Sequence, residues 1–308
     1  MKFKQWHLLV LIGLLVIAGV FYFTKTSDRL GESELRVTYN PMPFNLPSMV
    51  EREQQFLAEQ GFDVEYNTFA VGHAMAEALV AGELDVAVVM GGTSFITSVA
   101  GGRDLKIIAS YSQAPSGFAL VSTVDSWSID QLVGKRIAVP FGTEAHYLLG
   151  KILQEQGLSF EDIELVNMLV PDGVAALQSG QVDGAMVVEP VLTRLVQNNQ
   201  VSIIRDGTGL ITGLTVSVVS RDLDQRTIDK FLAAQKKTLA YITDNYQEVL
   251  ELASEETGLP LPLIQKIAPK YQFTLEIDEQ VKNTLLDTID FLYEQGIIRT
   301  KPDLNQLL

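Results

Sequence analysis

The most pointed polar residues of this chain sit where apolar stretches end, next to glycine or proline. Four loops have this character: Asn40-Pro41-Met42-Pro43-Phe44-Asn45, Gly91-Gly92-Thr93-Ser94, Phe141-Gly142-Thr143-Glu144-Ala145-His146 and Val188-Glu189-Pro190. Glycine lets backbone N–H groups approach a ligand closely, and a neighbouring Thr or Ser can cap a helix and donate a hydrogen bond. Gly92, Thr93 and Ser94 form one such donor loop, with Thr93 or Ser94 as cap; Gly142 and Thr143 form a second, with Thr143 as cap. Either loop taken alone is equally an ordinary capped turn. Glu144 falls in the first turn of its helix, where a carboxylate is stabilised by the dipole without any ligand. His146, one turn in, faces either a cleft or the core, and the core is the expectation. Glu189 ends an apolar strand, so its charge needs a partner or a purpose, and a cleft-facing role is expected. Phe44 and Tyr111 offer apolar walls, while Ser112 and Gln113 offer polar groups after the fourth strand. This is the chemistry of non-covalent binding. Cysteine is absent, histidines number three, and neither a Walker nor a dinucleotide glycine pattern occurs. The expectation is a non-enzyme with no metal and no cofactor.

The elements that position these loops announce themselves through a repeat. Ala78-Leu79-Val80-Ala81-Gly82-Glu83-Leu84-Asp85-Val86-Ala87 matches Ala176-Leu177-Gln178-Ser179-Gly180-Gln181-Val182-Asp183-Gly184-Ala185 at Ala, Leu, Gly, Asp and Ala. Upstream of each lies the phrase Glu-Gln-Gly, at 59–61 and 155–157. Each copy reads as a helix, a glycine stop and a buried strand. Two related α/β lobes imply a cleft between them.

Strands are expected at 35–39, 63–67, 86–90 and 106–111, with helices at 47–60, 72–81 and 93–100. A second set follows, with strands at 136–139, 163–167, 185–188 and 202–205 and helices at 143–156, 173–179 and 191–198. Strand–helix alternation argues for mostly parallel sheets flanked by helices. Residues 118–122 and 214–220 read as two crossover strands joining the lobes. After Ser220 the pattern turns helical, over 223–245, 246–257 and 279–296, with a break at Pro260 and Pro262. This tail is expected to pack on lobe one. The domain division is then residues 33–121 plus 215–308 for a discontinuous lobe one, and 122–214 for lobe two.

With 308 residues, 47% of them apolar, the chain can fill two cores. Its net charge is −15, and because residues 1–32 are net basic the remainder is more acidic still. No basic stripe exists to displace counterions from phosphates, so a nucleic-acid partner is excluded. The apolar run from Leu8 to Phe23, flanked by Lys2, Lys4, Lys25 and Arg29, reads as a signal peptide or a short membrane helix. Bulky Val20-Phe21-Tyr22-Phe23 at its end favours an uncleaved signal-anchor over a cleaved leader. Both place the globular part outside the cytoplasm.

Gly142-Thr143-Glu144-Ala145-His146-Tyr147-Leu148-Leu149, the Ala-Leu-x-x-Gly-x-Val-Asp phrase at 176–183 and Glu189-Pro190 resemble the solute-binding proteins of ABC importers for sulfonates, nitrate, taurine and pyrimidine precursors of thiamine. The resemblance spans about residues 35–220. It implies a two-lobed periplasmic-binding-protein fold of the second type, ligand-driven closure, a small-molecule ligand, an ABC permease with its ATPase as partner, and a monomer. Ligand contacts would come from the loops at 42–45, 91–94, 112–113, 142–146 and 189, which adds Asn45 to the candidates. Two departures matter: an expected retained anchor, and two carboxylates, Glu144 and Glu189, at the cleft. A sulfonate beside both would be repelled unless cations paired with them, so a ligand carrying an amine or a protonatable ring is expected. The rival readings are a tethered ligand sensor and an enzyme of the same fold.

Overall fold

In the computed structural model, which describes residues 33–123 and 127–308, the two copies of the repeat build the same substructure twice. In the first copy β1 (Ser33–Thr38) leads into α1 (Leu46–Gln54), α2 (Phe56–Glu59), β2 (Phe62–Asn67), α3 (Gly72–Val80), β3 (Ala87–Gly91), α4 (Gly92–Ala100), β4 (Leu105–Gln113) and then β5 (Phe118–Thr123). In the second, β6 (Arg136–Val139) leads into α5 (Glu144–Glu155), β7 (Glu164–Asn167), α6 (Val170–Gln178), β8 (Gly184–Val188), α7 (Val191–Gln197), β9 (Val201–Asp206) and β10 (Leu214–Ser220). The tail comprises α8 (Gln225–Asp244), α9 (Tyr246–Thr257), α10 (Leu261–Ile267), β11 (Gln272–Phe273), α11 (Glu279–Glu294) and α12 (Leu304–Leu307).

The repeated aspartate explains the repeat. Asp85 accepts from the Arg36 backbone N–H at 2.7 Å, and Asp183 accepts from the Arg136 backbone N–H at 2.8 Å. In return the backbone N–H groups of Asp85 and Asp183 donate to the carbonyls of Arg36 and Arg136. Each aspartate thus ties the entry to the third strand of its lobe to the first strand. The preceding Gly82 and Gly180 have φ of 69° and 74°, a conformation that side chains resist.

The five-stranded sheet runs β7-β6-β8-β5-β9, with β5 antiparallel to β8 and β9. The other runs β11-β4-β10-β3, and a parallel bridge between Val37 and Val86 joins the β1-β2 pair to its β3 edge. Apart from β11, which has no counterpart, the two orders correspond strand for strand. At the place taken by β5 in the second sheet, the first holds β10, antiparallel to both β3 and β4. Each sheet therefore contains one central strand that arrives from the far side of the other sheet. All of β5 pairs within the five-stranded sheet, so a division at residues 121/122 falls inside a strand.

The expected helix 47–60 is two helices, because Gln55 adopts φ 57° and the buried Glu51 carboxylate accepts from the Leu57 N–H at 3.1 Å, capping the second segment. The Pro260/Pro262 break instead opens α10, since proline is tolerated in a first helical turn. The tail does more than cover lobe one. While α8 packs on α1 and α2, α11 packs on α4 and on α5 of lobe two. Phe291 of α11 meets Tyr147 edge-on at 5.0 Å, in a seat opened by Gly150, where a Cβ would lie 2.0 Å from the Phe291 ring. A single apolar cluster accordingly runs from Phe95 and Ile96 through Leu148 and Ile152 to Leu285 and Leu292. The signal-anchor reading falls on residues 1–32, outside the described residues. Among the described residues no helix is long and apolar enough to cross a membrane.

Candidate functional site

Two adjoining cavities, of about 210 and 410 Å³, lie between the sheets and share Ala70, Val71, Gly72, Gly91, Phe118, Val188 and Thr215. Helix starts form much of their wall. Val71 and Gly72 open α3, Gly91 precedes α4, Thr143 precedes α5, and Leu169, Val170 and Pro171 open α6. None of these helices carries a side-chain cap from its own N-cap residue; Glu144 accepts the Thr93 N–H at the start of α4, while N–H groups at the starts of α3 and α5 remain available to whatever enters. The rest of the wall is largely apolar: Phe44, Phe69, Met75, Met90 and Phe118, with Asn40, Thr215 and Tyr271 as polar interruptions. Among the described residues no Lys, Arg or His lines either cavity.

Of the residues singled out from sequence, Phe44, Ser94, Thr143, Glu144 and Glu189 line the cavities. Glu189 is only 1% exposed and is neutralised from outside the repeat. Its carboxylate pairs with Lys270 Nζ, between α10 and β11, and accepts from the Thr193 hydroxyl at 2.6 Å and the Thr193 N–H at 3.1 Å. Glu144 is buried and pairs with no cation among the described residues. One of its oxygens accepts the Thr93 hydroxyl at 2.5 Å and the Thr93 N–H at 3.3 Å. Burial lifts its carboxyl to about 7, against the downward pull of hydrogen bonds from Thr93 and the Leu214 backbone. Thus one carboxylate is paired and the other changes charge near neutrality, so the argument from charge against an anionic ligand narrows to Glu144 alone.

The other candidates stand behind the wall, and the hydroxyls of Ser94 and Thr143, though on the wall, are turned to protein carbonyls. Asn45 donates to the Asn40 carbonyl at 2.9 Å and accepts from the Tyr111 hydroxyl at 2.5 Å, so it shapes the loop without facing the space. Gly92 sits against Leu214, at a distance that leaves a Cβ only 3.4 Å from the Leu214 carbonyl. Thr93 and Ser94 lie inside α4, whose cap position is Gly91, so neither is the cap. Ser94 Oγ donates across to the Gly142 carbonyl at 3.3 Å. Thr143 holds the cap position of α5, but its hydroxyl donates back to the Pro140 carbonyl at 2.6 Å. Ser112 hydrogen-bonds Thr215 at 2.7 Å, and it is Thr215 that faces the cavity. Gln113 lies at the β4 end, where its oxygen accepts from Gln280 at 3.3 Å. Gly142, at φ 68°, donates its N–H to His146 Nδ1 at 3.2 Å. His146 itself is packed between the rings of Phe141 and Phe160, each 4.9 Å away, and burial holds its pKa down at about 4. It is a core residue.

Sequence reasoning missed the Ala70-Val71-Gly72 and Leu169-Val170-Pro171 starts, although both follow strands just as the four named loops do. It also missed Lys270 and Tyr271, which the helical tail brings back over the cavity. Among the described residues no group of three or more His, Cys, Asp or Glu is placed to hold a metal ion.

Two sheets of matching strand order, exchanging one central strand each and flanking a ligand-sized cavity, make this a periplasmic-binding-protein fold of the second type. A sequence model of the NMT1-like family matches residues 28–208, and the chain belongs to that family. It is 26% identical over 266 residues to the taurine-binding periplasmic protein of Escherichia coli K12, covering 80% of this chain and 82% of that protein. It is 25% identical over 253 residues to a putative aliphatic sulfonates-binding protein of the same organism, covering 79% and 78% respectively. In structure it resembles the alkanesulfonate-binding protein SsuA of Xanthomonas axonopodis pv. citri bound to MOPS, with a TM-score of 0.79 at 20% identity over 88% of this chain and 96% of that one.

Proposed function

We propose that this protein is the extracytoplasmic solute-binding component of an ABC importer and that its solute is a small sulfonate such as taurine or an alkanesulfonate. The observation that carries the reading is the composition of the inter-sheet cavity: helix N-termini from both halves over apolar walls, with no cationic side chain among the lining residues. Such a wall holds an anion through N–H groups and helix dipoles and accommodates a short apolar body beside it. The sulfonate-binding names of the relatives point the same way. The lobes are residues 33–117 with the tail from β10 onward, and 118–213; a solute touching both favours the closed arrangement by its differential affinity for it. A permease with its ATPase then receives the solute, and an N-terminal anchor keeps a monomeric binder at the membrane. Binding, rather than chemistry, is what this wall supports.

The test is thermal unfolding of the purified full chain against taurine, ethanesulfonate, nitrate, bicarbonate, an aminopyrimidine and putrescine. A bound solute at a hundred times its Kd adds about 2.7 kcal/mol, worth roughly 5–10 °C in a chain of this size. A rise with sulfonates alone supports the reading. A rise confined to the amines or the aminopyrimidine overturns it.

A further inference from the structure

Glu144 begins α5 in lobe two, yet its carboxylate is spent on α4 in lobe one. The same oxygen accepts both the Thr93 N–H and the Thr93 hydroxyl, so it fills the α4 N-terminus where an external anion would otherwise sit. The side chain is buried and lies on the cavity wall beside the open starts of α3 and α5. Among the described residues no cation is paired with it. Neither α4 nor β10 contains an ionisable side chain. From α3 comes His73, exposed and close to Gly142, and further along the same helix Glu77 pairs with Arg103 at the surface. α5 itself adds His146, Tyr147 and Lys151, the last lying over the Tyr147 ring. From α11, Asp287 acts on Tyr147. Across the cavity Glu189 is already paired with Lys270.

An anion entering this space therefore meets an uncompensated buried carboxylate a short distance away. We propose that Glu144 is a specificity-determining residue that takes up one proton as an anionic solute binds, so that solute and proton enter the site together. This rests on the sulfonate reading above. The balance is simple for an alkanesulfonate: a carboxylate gains a proton from solvent, the solute brings one negative charge, and the net charge of the site is unchanged, whereas zwitterionic taurine brings no net charge and calls for no proton. The neutral acid also gains an O–H donor, which the ionised form lacks. Because burial already holds the carboxyl at about 7, the proton is at hand near neutrality and scarce above it. Affinity for a sulfonate is then flat below neutral pH and falls about tenfold per pH unit above it.

Calorimetric titration of the full chain with methanesulfonate and ethanesulfonate from pH 5.5 to 8.5 tests this, in Bis-Tris, imidazole and Tris because sulfonate buffers would compete. The expected result is a tenfold loss per unit above about pH 7, with close to one proton taken up per solute at pH 8 from the dependence on buffer ionisation enthalpy. Glu144→Gln should bind equally well across the range with no proton uptake, whereas His73→Gln should keep the wild-type profile. A flat wild-type profile, a slope that survives in Glu144→Gln, or one abolished by His73→Gln overturns the inference and leaves the sulfonate reading intact. Failure of both wild type and Glu144→Gln to bind any sulfonate at any pH overturns the sulfonate reading, and this inference with it.

Discussion

Replacing Lys270 with methionine strands a buried charge. The Glu189 side chain has no exposed surface, whereas that of Lys270 is 27% exposed. Two unit charges about 3 Å apart attract by roughly 5 kcal/mol at an effective dielectric of 20, much of which is returned as desolvation. Removing one partner of a fully buried pair costs about 3–5 kcal/mol. Here the partial exposure of Lys270 and the two hydrogen bonds from Thr193 that survive its loss lower the expectation to about 2–3 kcal/mol. In a chain of this size that is a fall in melting temperature of roughly 5–10 °C. Differential scanning calorimetry at pH 7.5 on wild type, Lys270→Met, Glu189→Gln and the double variant closes the cycle. The double variant should recover most of the loss, because the neutral amide still meets the Thr193 hydroxyl and leaves no charge behind. If Lys270→Met melts within about 1 °C of wild type, or the double variant is no more stable than Lys270→Met, then the pair does not hold Glu189 as described.

Glu144 and His146 make opposite contributions to stability against pH. The folded state keeps a proton on Glu144 that the unfolded chain sheds between about 4.5 and 7, so this contribution falls as pH rises through that window. His146 refuses, when folded, a proton that the unfolded chain takes up below 6.5, so its contribution is lost as pH falls towards 4. Melting curves should show Glu144→Gln gaining on wild type by up to about 3 kcal/mol between pH 4.5 and 7.5; a pH-independent difference would refute the linkage. Gly150→Ala pushes a methyl into the Phe291 ring, and overpacking of this kind costs about 1–3 kcal/mol. Urea unfolding of that variant should show the loss, and pairing it with Phe291→Leu should relieve part of it; equal stability of Gly150→Ala and wild type would remove the clash.

The strand order was largely legible because it depends on period and punctuation. Strand 214–220 was found to the residue, since its Leu/Val and Thr/Ser alternation ends in the turn at Arg221-Asp222. The repeat located equivalent turns because each needs a left-handed glycine and a strand-clamping aspartate. Which side of each loop faces the cavity was not legible. Asn45, Ser112 and Thr93 sit one hydrogen bond behind the wall, and only tertiary packing decides that Asn40, Thr215 and Glu144 stand in front. Lys270 could not be connected to Glu189 from spacing, as 81 residues separate them and no local pattern carries the pairing.

The exchanged strands have a consequence for how the molecule is made. β3 and β4 do not pair with each other; β10 lies between them, and 103 residues separate Ser112 from its partner Thr215. The first sheet therefore cannot close while the chain is being synthesised until more than two thirds of it has emerged. On the proposed extracytoplasmic role, the nascent chain must stay threadable until then. By placing its keystone late, this topology delays the folding of its own N-terminal half.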